Sequence, residues 1–546
     1  MELKEALKYL EEISFYLELK GENVFKINAF NSAIRNLSQI NKTLDEGLGD
    51  GSFEKVKGVG KSILSILKEL NESGGTHVLT ELRNEFPESI YELTRIPGLG
   101  AKKIKKLYDN LQIGSIDELE QACIENRLIK IQGFGEKSQS TILANIERIS
   151  KYKGFLLLHK ANQYAQEFED KYLKTLSNKY SITGELRRSC EIISKIEFLV
   201  VPNDDFTHVI KNQFELVSES PKRIEIEIEG TNIILHLCDE KDFYQRLFTT
   251  TGPEDFISKV DKSFSNVKRV NSEEELFTQA GLHYIVPQLR DNEKIEWKEY
   301  DFAEQKDLRG LLHIHTNYSD GINSIEEIQT HAEKVGYEFV LICDHSKSAV
   351  YANGLTEERV KAQWKEIDDL NKKNAKVKIL KGIECDILAD GSLDYSNDFL
   401  SKFDCVVASV HSNFNLSESE MTNRICKALE NKYVKILGHL SGRLLLSRES
   451  YKVDVQKVID AAAKFNKVIE LNADPHRLDL DWRWHQYAVE KSVKIAISPD
   501  AHSLKGIDNV AFGLEIAKKG GLEKNDIINT LNLNSFVKQY CQNFEK

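Results

Sequence analysis

The pattern of apolar and polar positions changes twice along the chain. In residues 1–150 apolar side chains recur at i, i+3 and i+4, as in ALKYLEEISFYLEL and SILSILKEL, so this region reads as helical. From 155 to 300 the pattern is mixed. A helical stretch, GFLLLHKANQYAQEFEDKYLK, precedes the strand-like runs KIEFLVV, RIEIEIE and NIILHLC. RIEIEIE alternates apolar and charged residues, as a half-exposed strand should. After residue 310 come seven short apolar runs: GLLHIHT, FVLICDH, VKILKGIE, CVVASVH, VKILGHL, VIELNA and KIAISPDAH. Amphipathic helices such as SIEEIQTHAEKVG and VDVQKVIDAAAKF separate most of them. That alternation predicts a parallel β/α barrel, which carries its site at the C-terminal ends of the strands.

One short pattern recurs in the helical region: VKGVGKS at Val56–Ser62, IPGLGAKK at Ile96–Lys103 and IQGFGEKS at Ile131–Ser138. Each is an apolar residue, Gly-x-Gly, a lysine or small residue, then a new helix. This is a helix-hairpin-helix pattern. Its glycines allow a sharp turn that points backbone N–H groups outward at a helix N-terminus, a nest for a phosphate oxygen. Gly58, Gly60, Gly98, Gly100, Gly133 and Gly135 are the candidate turn residues, and Lys61, Lys102, Lys103 and Lys137 stand where they add charge. A tight turn between packed helices also demands glycine, but three copies with lysines beside them favour contact with a nucleic-acid backbone.

The chain has 546 residues, which suggests three or four domains, and a formal net charge of −12. A uniformly basic coat is excluded; residues 1–150 hold 20 Lys/Arg against 23 Asp/Glu. DNA binding there should rest on a few phosphate contacts and be salt-sensitive. No run approaches 18 apolar residues, and the N-terminus lacks a signal-peptide core, so no membrane span is expected and the location reads as cytoplasmic. Eight scattered cysteines without a CxxC pair fit a reducing compartment.

Nine of the 14 histidines follow residue 310. Six of them, with three carboxylates, close the apolar runs. The first run delivers His313, His315 and then Asp320; the next four deliver His345, Glu384, His411 and His439; the last delivers Asp500 and His502. In H-x-H and D-x-H, alternate strand positions share a face, which suits two ligands on one ion. Imidazole and carboxylate donors without thiolate suit Zn, Mn or Fe. Nine donors are too many for one four-coordinate ion, so two or three divalent ions are expected, with Glu384 a bridge. Two close ions stabilise the attacking and leaving oxygens of a phosphoryl displacement and generate hydroxide near neutral pH. Arg443, just after His439, is a candidate phosphate contact. His331, His476 and His485 are read as ordinary packing or surface histidines.

HIHTNYSDG, CDHS, GIECD, SVHS, GHL and SPDAH together resemble the polymerase and histidinol phosphatase (PHP) domain, a distorted seven-stranded barrel. The resemblance implies one ion near His313, His315, Glu384 and Asp500, a second near Asp320, His345 and His502, and a third near Glu384, His411 and His439. With ELKGENVFKINAF, the hairpins, GELRRSCEIISKIEFLV and ANGLTEERV, the whole chain resembles the bacterial family X DNA polymerases that carry a C-terminal PHP domain. It implies a multidomain chain: an N-terminal helical DNA-end-binding domain (1–85), a fingers-like helix-hairpin-helix region (86–150) and an α+β nucleotidyltransferase-like palm and thumb (151–290). A linker (291–309) then leads into a (β/α)7 PHP barrel (310–546). It also implies a 3′–5′ exonuclease on gapped, nicked or 3′-ended DNA.

The palm departs from the family. There the motif reads G-S-L-R-R, then D-x-D on a strand, then a third Asp on a neighbouring strand. Here it reads Gly184-Glu185-Leu186-Arg187-Arg188, with Lys195 and Glu197 at the D-x-D positions and Ile234 at the third. Three carboxylates are needed to hold two Mg ions between primer and nucleotide. The expectation is a DNA repair-type nuclease with a palm that no longer polymerises. An active gap-filling polymerase, a small-molecule phosphoesterase of the histidinol phosphatase kind and a non-enzymatic scaffold are the alternatives.

Overall fold

The computed structural model describes residues 3–542 apart from 39, 41, 229, 265, 266, 268, 374 and 375. The chain forms two compact units, residues 1–153 and 154–546. No helix among the described residues is long and apolar enough to cross a membrane.

The first unit is all helical, as its periodicity predicts. α1 (Leu3–Lys20) buries Leu7, Leu10, Ile13 and Leu17, a stripe at helical spacing. One apolar cluster runs from Leu3 to Ile146 through every helix of the unit. α2 (Lys61–Ser73), α3 (Ala101–Leu111) and α4 (Glu136–Lys151) each begin directly after the second glycine of a Gly-x-Gly copy.

The second unit opens with a five-stranded mixed sheet: β1 (Ser177–Thr183), β2 (Ile196–Pro202), β3 (Leu216–Ser220), β4 (Arg223–Ile228) and β5 (Thr231–Leu237). Its order is β1-β2-β5-β4-β3, and only the β2–β5 pair is parallel. Phe198 and Val200 of β2 and Ile233 and Leu235 of β5 pack on one face against Leu158, Ala161, Ala165 and Phe168. Helices Phe243–Thr251, Glu254–Phe264 and Glu273–Gln279 follow. Their core is built around a charge: the fully buried Arg290 guanidinium lies within 6.0 Å of the Phe248, Phe256, Phe277 and Tyr284 rings. It pairs with buried Glu273 at 2.9 Å, and Glu273 also holds Arg187 at 2.7 Å. Residues 291–309 contain one short turn, Gln305–Asp307, and are tied to the barrel where Asp301 N donates to Glu523 and Lys298 pairs with it at 2.9 Å.

The seven apolar runs become seven parallel strands: β6 (Gly310–Ile314), β7 (Phe339–Ile342), β8 (Lys378–Asp386), β9 (Cys405–Ser409), β10 (Val434–Leu437), β11 (Val468–Asn472) and β12 (Ile495–Ser498). They form a nearly closed barrel in chain order. The seam between β6 and β12 carries a single bridge, Ile314 with Ala501, where His315 N donates to Ala501 O. Lower down, buried Asn529 closes it: its amide donates to Gly310 O and Ile497 O and accepts from Ile497 N. Inside, Leu312, Phe339, Leu341, Leu380, Val407, Ile436, Val468 and Ala496 form a dry plug, and Phe536 of the helix Leu533–Tyr540 stops the floor, 4.7 Å from the Phe339 ring. The alternate residues face the surrounding helices. Among the described residues, the polar part of the barrel interior is its C-terminal end.

Candidate metal centre and nucleic-acid interface

Glu384, near the end of β8 and fully buried, is the hub of that polar end. Its carboxylate lies 3.5 Å from His313, 2.8 Å from His345, 3.3 Å from His411 and 3.0 Å from His439. Asp500 lies 3.0 Å from His315 and 3.7 Å from His313. Asp320 lies 3.4 Å from His502 and 3.6 Å from His345. The nine strand-end residues therefore meet in one pocket. Three groups have donor atoms close enough to share an ion: His315, Asp320, His345 and His502; His313, His315 and Asp500; and His345, Glu384 and His411.

The local backbone explains how β6 contributes two rings. Leu312 points into the barrel and Ile314 points out, so plain alternation would leave His313 outside. His313 instead adopts φ 59°, a left-handed conformation uncommon for a side-chain-bearing residue, and the register with β7 shifts between Leu311 and Ile314. This bulge moves the phase by one, and His313 and His315 both turn inward with ring centroids 5.2 Å apart. Asp500 is left-handed too, at φ 51°. Strain of this kind persists where surrounding contacts over-determine it, commonly at functional sites.

A second layer of carboxylates, which the sequence reading missed, orients the first. Buried Glu470 bonds His313 Nδ1 at 2.5 Å and accepts the His439 backbone N–H; Asp386 bonds His411 Nδ1 at 2.6 Å. Such bonds fix the tautomer that leaves Nε2 facing the centre. Burial alone would push the Glu384 carboxyl up, but His411, His345 and His313 hold it well below its ordinary range. Burial and the neighbouring His502 and His345 push His315 down to about 3. Burial would lower His411 as well, yet Glu384 and Asp386 raise it to about 10. The donor set fits metal ions on a direct observation. His313 Nε2, His315 Nδ1, His345 Nδ1 and Glu384 Oε2 are buried and make no hydrogen bond, although charged partners stand 2.8–3.8 Å away. Their lone pairs converge instead of pairing, which is what ligation of a shared cation requires.

Arg443 does not face this centre. Its guanidinium is held by Asp481 at 2.6 Å and by the Arg477 and Leu478 carbonyls. The arginine that does approach is Arg477, with Nε 3.8 Å from Asp500. His485 is buried and packs, and His476 bonds Asp474, consistent with ordinary roles.

In the helical unit the three Gly-x-Gly copies share one turn. Gly58, Gly98 and Gly133 have φ of 96°, 84° and 98°, and Val59, Leu99 and Phe134 each donate back to Val56, Ile96 and Ile131. Gly60, Gly100 and Gly135 cap the next helix without a side-chain hydrogen bond, and nothing lies within 4 Å of where a Cβ would stand. The first N–H groups of three helices are thus open to an anion. Lys61, Lys102, Lys103 and Lys137 are exposed beside them. The copies differ at their first glycine. A Cβ on Gly58 would meet Ala33 N at 2.7 Å, whereas Gly98 faces open space.

Comparison with known proteins agrees with both regions. Residues 1–76 match the helix-hairpin-helix domain, 90–154 the SAM-like helix-hairpin-helix tandem and 312–474 the PHP domain. Over 98% of its length the chain is 34% identical to the "DNA polymerase/3′-5′ exonuclease PolX" of Bacillus subtilis (strain 168), covering 98% of that protein. The chain belongs to the bacterial family X DNA polymerases with a PHP domain. Its barrel alone is also similar to smaller proteins. A "probable phosphatase" of Thermoanaerobacter sp. (strain X514) is 29% identical over 40% of the chain and 89% of its own length. One of Caldanaerobacter subterraneus is 26% identical over 44% of the chain and 94% of its own length. The PHP match and the His/Asp/Glu clusters together fit a multinuclear metal site.

In this family X chain the palm is arranged differently from the barrel. Lys195, Glu197, Ile234 and His236 share one face of the sheet, with Glu197 directly opposite Ile234 in the β2–β5 register. Glu197 is buried and bonded by His236 at 3.2 Å and Lys195 at 3.3 Å. Burial would raise its carboxyl, but those two partners hold it below the ordinary range. Glu185 accepts from Ser194 N and Oγ. Arg187 is committed to Glu273 and Arg188 to Asp291 at 2.9 Å.

Proposed function

We propose that this chain is a metal-dependent DNA 3′–5′ exonuclease whose palm positions DNA without extending it. One observation carries the reading: in the barrel several buried donor atoms at the centre, Glu384 Oε2 among them, make no hydrogen bond, while at the palm's carboxylate positions the one remaining acid is paired with a lysine. Divalent ions in the barrel would activate a water and offset charge on a phosphoryl oxygen. The proposed ligands are His313, His315, Asp320, His345, Glu384, His411, His439, Asp500 and His502. Glu470 and Asp386 keep the imidazoles aimed, and the dry plug beneath confines water to the mouth. The helix-hairpin-helix turns would hold the backbone through N–H groups and lysines without reading bases. The Bacillus relative's name includes both polymerase and 3′-5′ exonuclease, and the exonuclease half is the part this chain's residues support.

A small-molecule phosphoesterase is the second reading, favoured by the phosphatase relatives of the barrel. The three open hairpins weigh against it, because a small substrate has no use for them.

The test is a 5′-labelled gapped DNA incubated with the protein and Mn²⁺, with and without four deoxynucleotides. Shortening that ignores the nucleotides is expected. Extension would overturn the reading of Lys195, Glu197 and Ile234, and no change in length would move the assignment to a small phosphoester.

A further inference from the structure

The nine candidate ligands are not equally enclosed. Seven have side chains at most 10% exposed, but Asp320 is 32% and His502 40% exposed. Asp320 is also carried by the loop after β6 rather than by a strand end. What holds that loop is Asp344, which directly precedes His345 and is fully buried. Its carboxylate accepts from Thr316 N at 2.8 Å, Thr316 Oγ1 at 2.6 Å, Ser319 N at 3.2 Å, Ser319 Oγ, and Gln363 Nε2 at 2.5 Å. The Ser319 hydroxyl is shared between two acids, since it also lies 3.2 Å from Asp320 Oδ1. The loop is wound tightly. Ser319 N and Gly321 N both turn back to Thr316 O, and Ile322 N donates to His502 O at 2.9 Å. Behind it runs the helix Glu357–Lys373. Arg359, Gln363 and Glu366 are spaced by four and three and so share one face of that helix. The Arg359 guanidinium donates to Tyr318 O, Gln363 donates to Asp344, and Glu366 accepts the Tyr318 hydroxyl at 2.7 Å.

All five donors to Asp344 are neutral, and four of them belong to the loop. The acid therefore fixes a backbone path rather than answering a cation. A ligand on a loop is placed less precisely than one on a strand unless its supports are locked. Here the tolerance is small: Asp320 lies 3.4 Å from His502, 3.6 Å from His345 and 3.8 Å from His315. We propose that Asp344 is a positioning residue for one ion of the centre. By holding Thr316 and Ser319 it keeps Asp320 where His315, His345 and His502 share a cation with it. This rests on the metal-dependent nuclease reading above and names what sets the occupancy of its most exposed ion. The other two donor groups contain neither Asp320 nor His502 and should keep their ions without it.

The test counts metal rather than product. The full chain is loaded with Mn²⁺ and desalted, its retained metal is measured, and calorimetry with Mn²⁺ reads the affinity of the emptied position. Asp320→Ala should lose one ion relative to the wild type. Asp344→Ala should lose the same ion, binding it at least about tenfold more weakly, and the double variant should lose no more than Asp320→Ala alone. Asp344→Asn should recover most of the loss, because Gln363 Oε1 is buried without a hydrogen bond and its amide can turn over to meet the new N–H. Ser319→Ala removes the shared hydroxyl without opening the core. It should weaken the same ion, and it carries the test if Asp344→Ala does not fold. Full retention in Asp344→Ala or Ser319→Ala, loss of every ion together, or a double variant that loses more than Asp320→Ala overturns the assignment while the metal reading stands. A wild type that retains no metal overturns the metal reading and the assignment with it.

Discussion

The palm and the barrel mouth each gather acidic and basic side chains on sheet strands, yet they solve the charge problem in opposite ways. In the palm, Glu197 is answered by His236 and Lys195, and Glu185 by two Ser194 donors. In the barrel, Glu384 has five imidazoles around it and still keeps one oxygen outside any hydrogen bond. A buried charge that is not paired costs several kcal/mol, so a fold retains it where a bound group settles the debt. The difference teaches that internal pairing, rather than residue type, separates a structural acid from a ligand.

The same substitution in both places breaks the comparison most sharply. Glu384→Gln should lower DNA hydrolysis on the order of 10³-fold and reduce the metal retained after gel filtration. Glu197→Gln should leave the hydrolysis rate unchanged within about twofold, since its ordinary partners can bond an amide. Equal losses would erase the distinction.

The next effect is on stability. Glu273 is the acid between Arg187 and Arg290, and Glu273→Gln should cost about 3–5 kcal/mol in denaturant unfolding at neutral pH by leaving a buried cation unanswered. Burial alone would push this carboxyl up; Arg290 and Arg187 hold it below its ordinary range. Because the folded carboxyl is the stronger acid, its contribution is complete above the unfolded value and fades as pH falls through the folded one. The gap between wild type and variant should therefore narrow on acidification below the carboxylate range.

The smallest effect separates holding from cutting. Gly98→Ala, at a positive φ in open space, should weaken DNA binding about fivefold and spare hydrolysis of a chromogenic thymidine phosphodiester. The salt slope should drop by about 0.9 for each phosphate lost. Gly58→Ala should instead lower thermal stability, because its methyl group meets Ala33. Parallel losses of binding and hydrolysis would merge the two regions into one function.

All seven barrel strands were legible because each is a short apolar run closed by a polar residue. β1 and β3 were not, since SNKYSIT and LVSES are mostly polar and lie at the two edges of their sheet, where one neighbour suffices. The nine residues at the barrel mouth stood out by ending their runs. Glu470 and Asp386 did not, because an acid inside or just past an apolar stretch looks like an exposed position until the barrel turns it inward. Arg443 beside His439 was the natural choice for a phosphate; the chain's path around Asp481 turned it away and brought Arg477 forward. H-x-H pointed to the correct pair of rings through an alternation that the bulge at His313 interrupts.

Asn529 holds the first and last barrel strands together by its side chain, while Phe536 stoppers the floor. Both belong to a segment more than two hundred residues from β6, so the barrel is a fold of high contact order. Its closure is expected late in folding, because the loop entropy of the whole domain must be lost first. A chain that has not yet closed would leave Leu312, Phe339 and Leu341 exposed to water and to association. A chain cut before Ile528 would keep every catalytic candidate and still lack the bolt that lets them assemble.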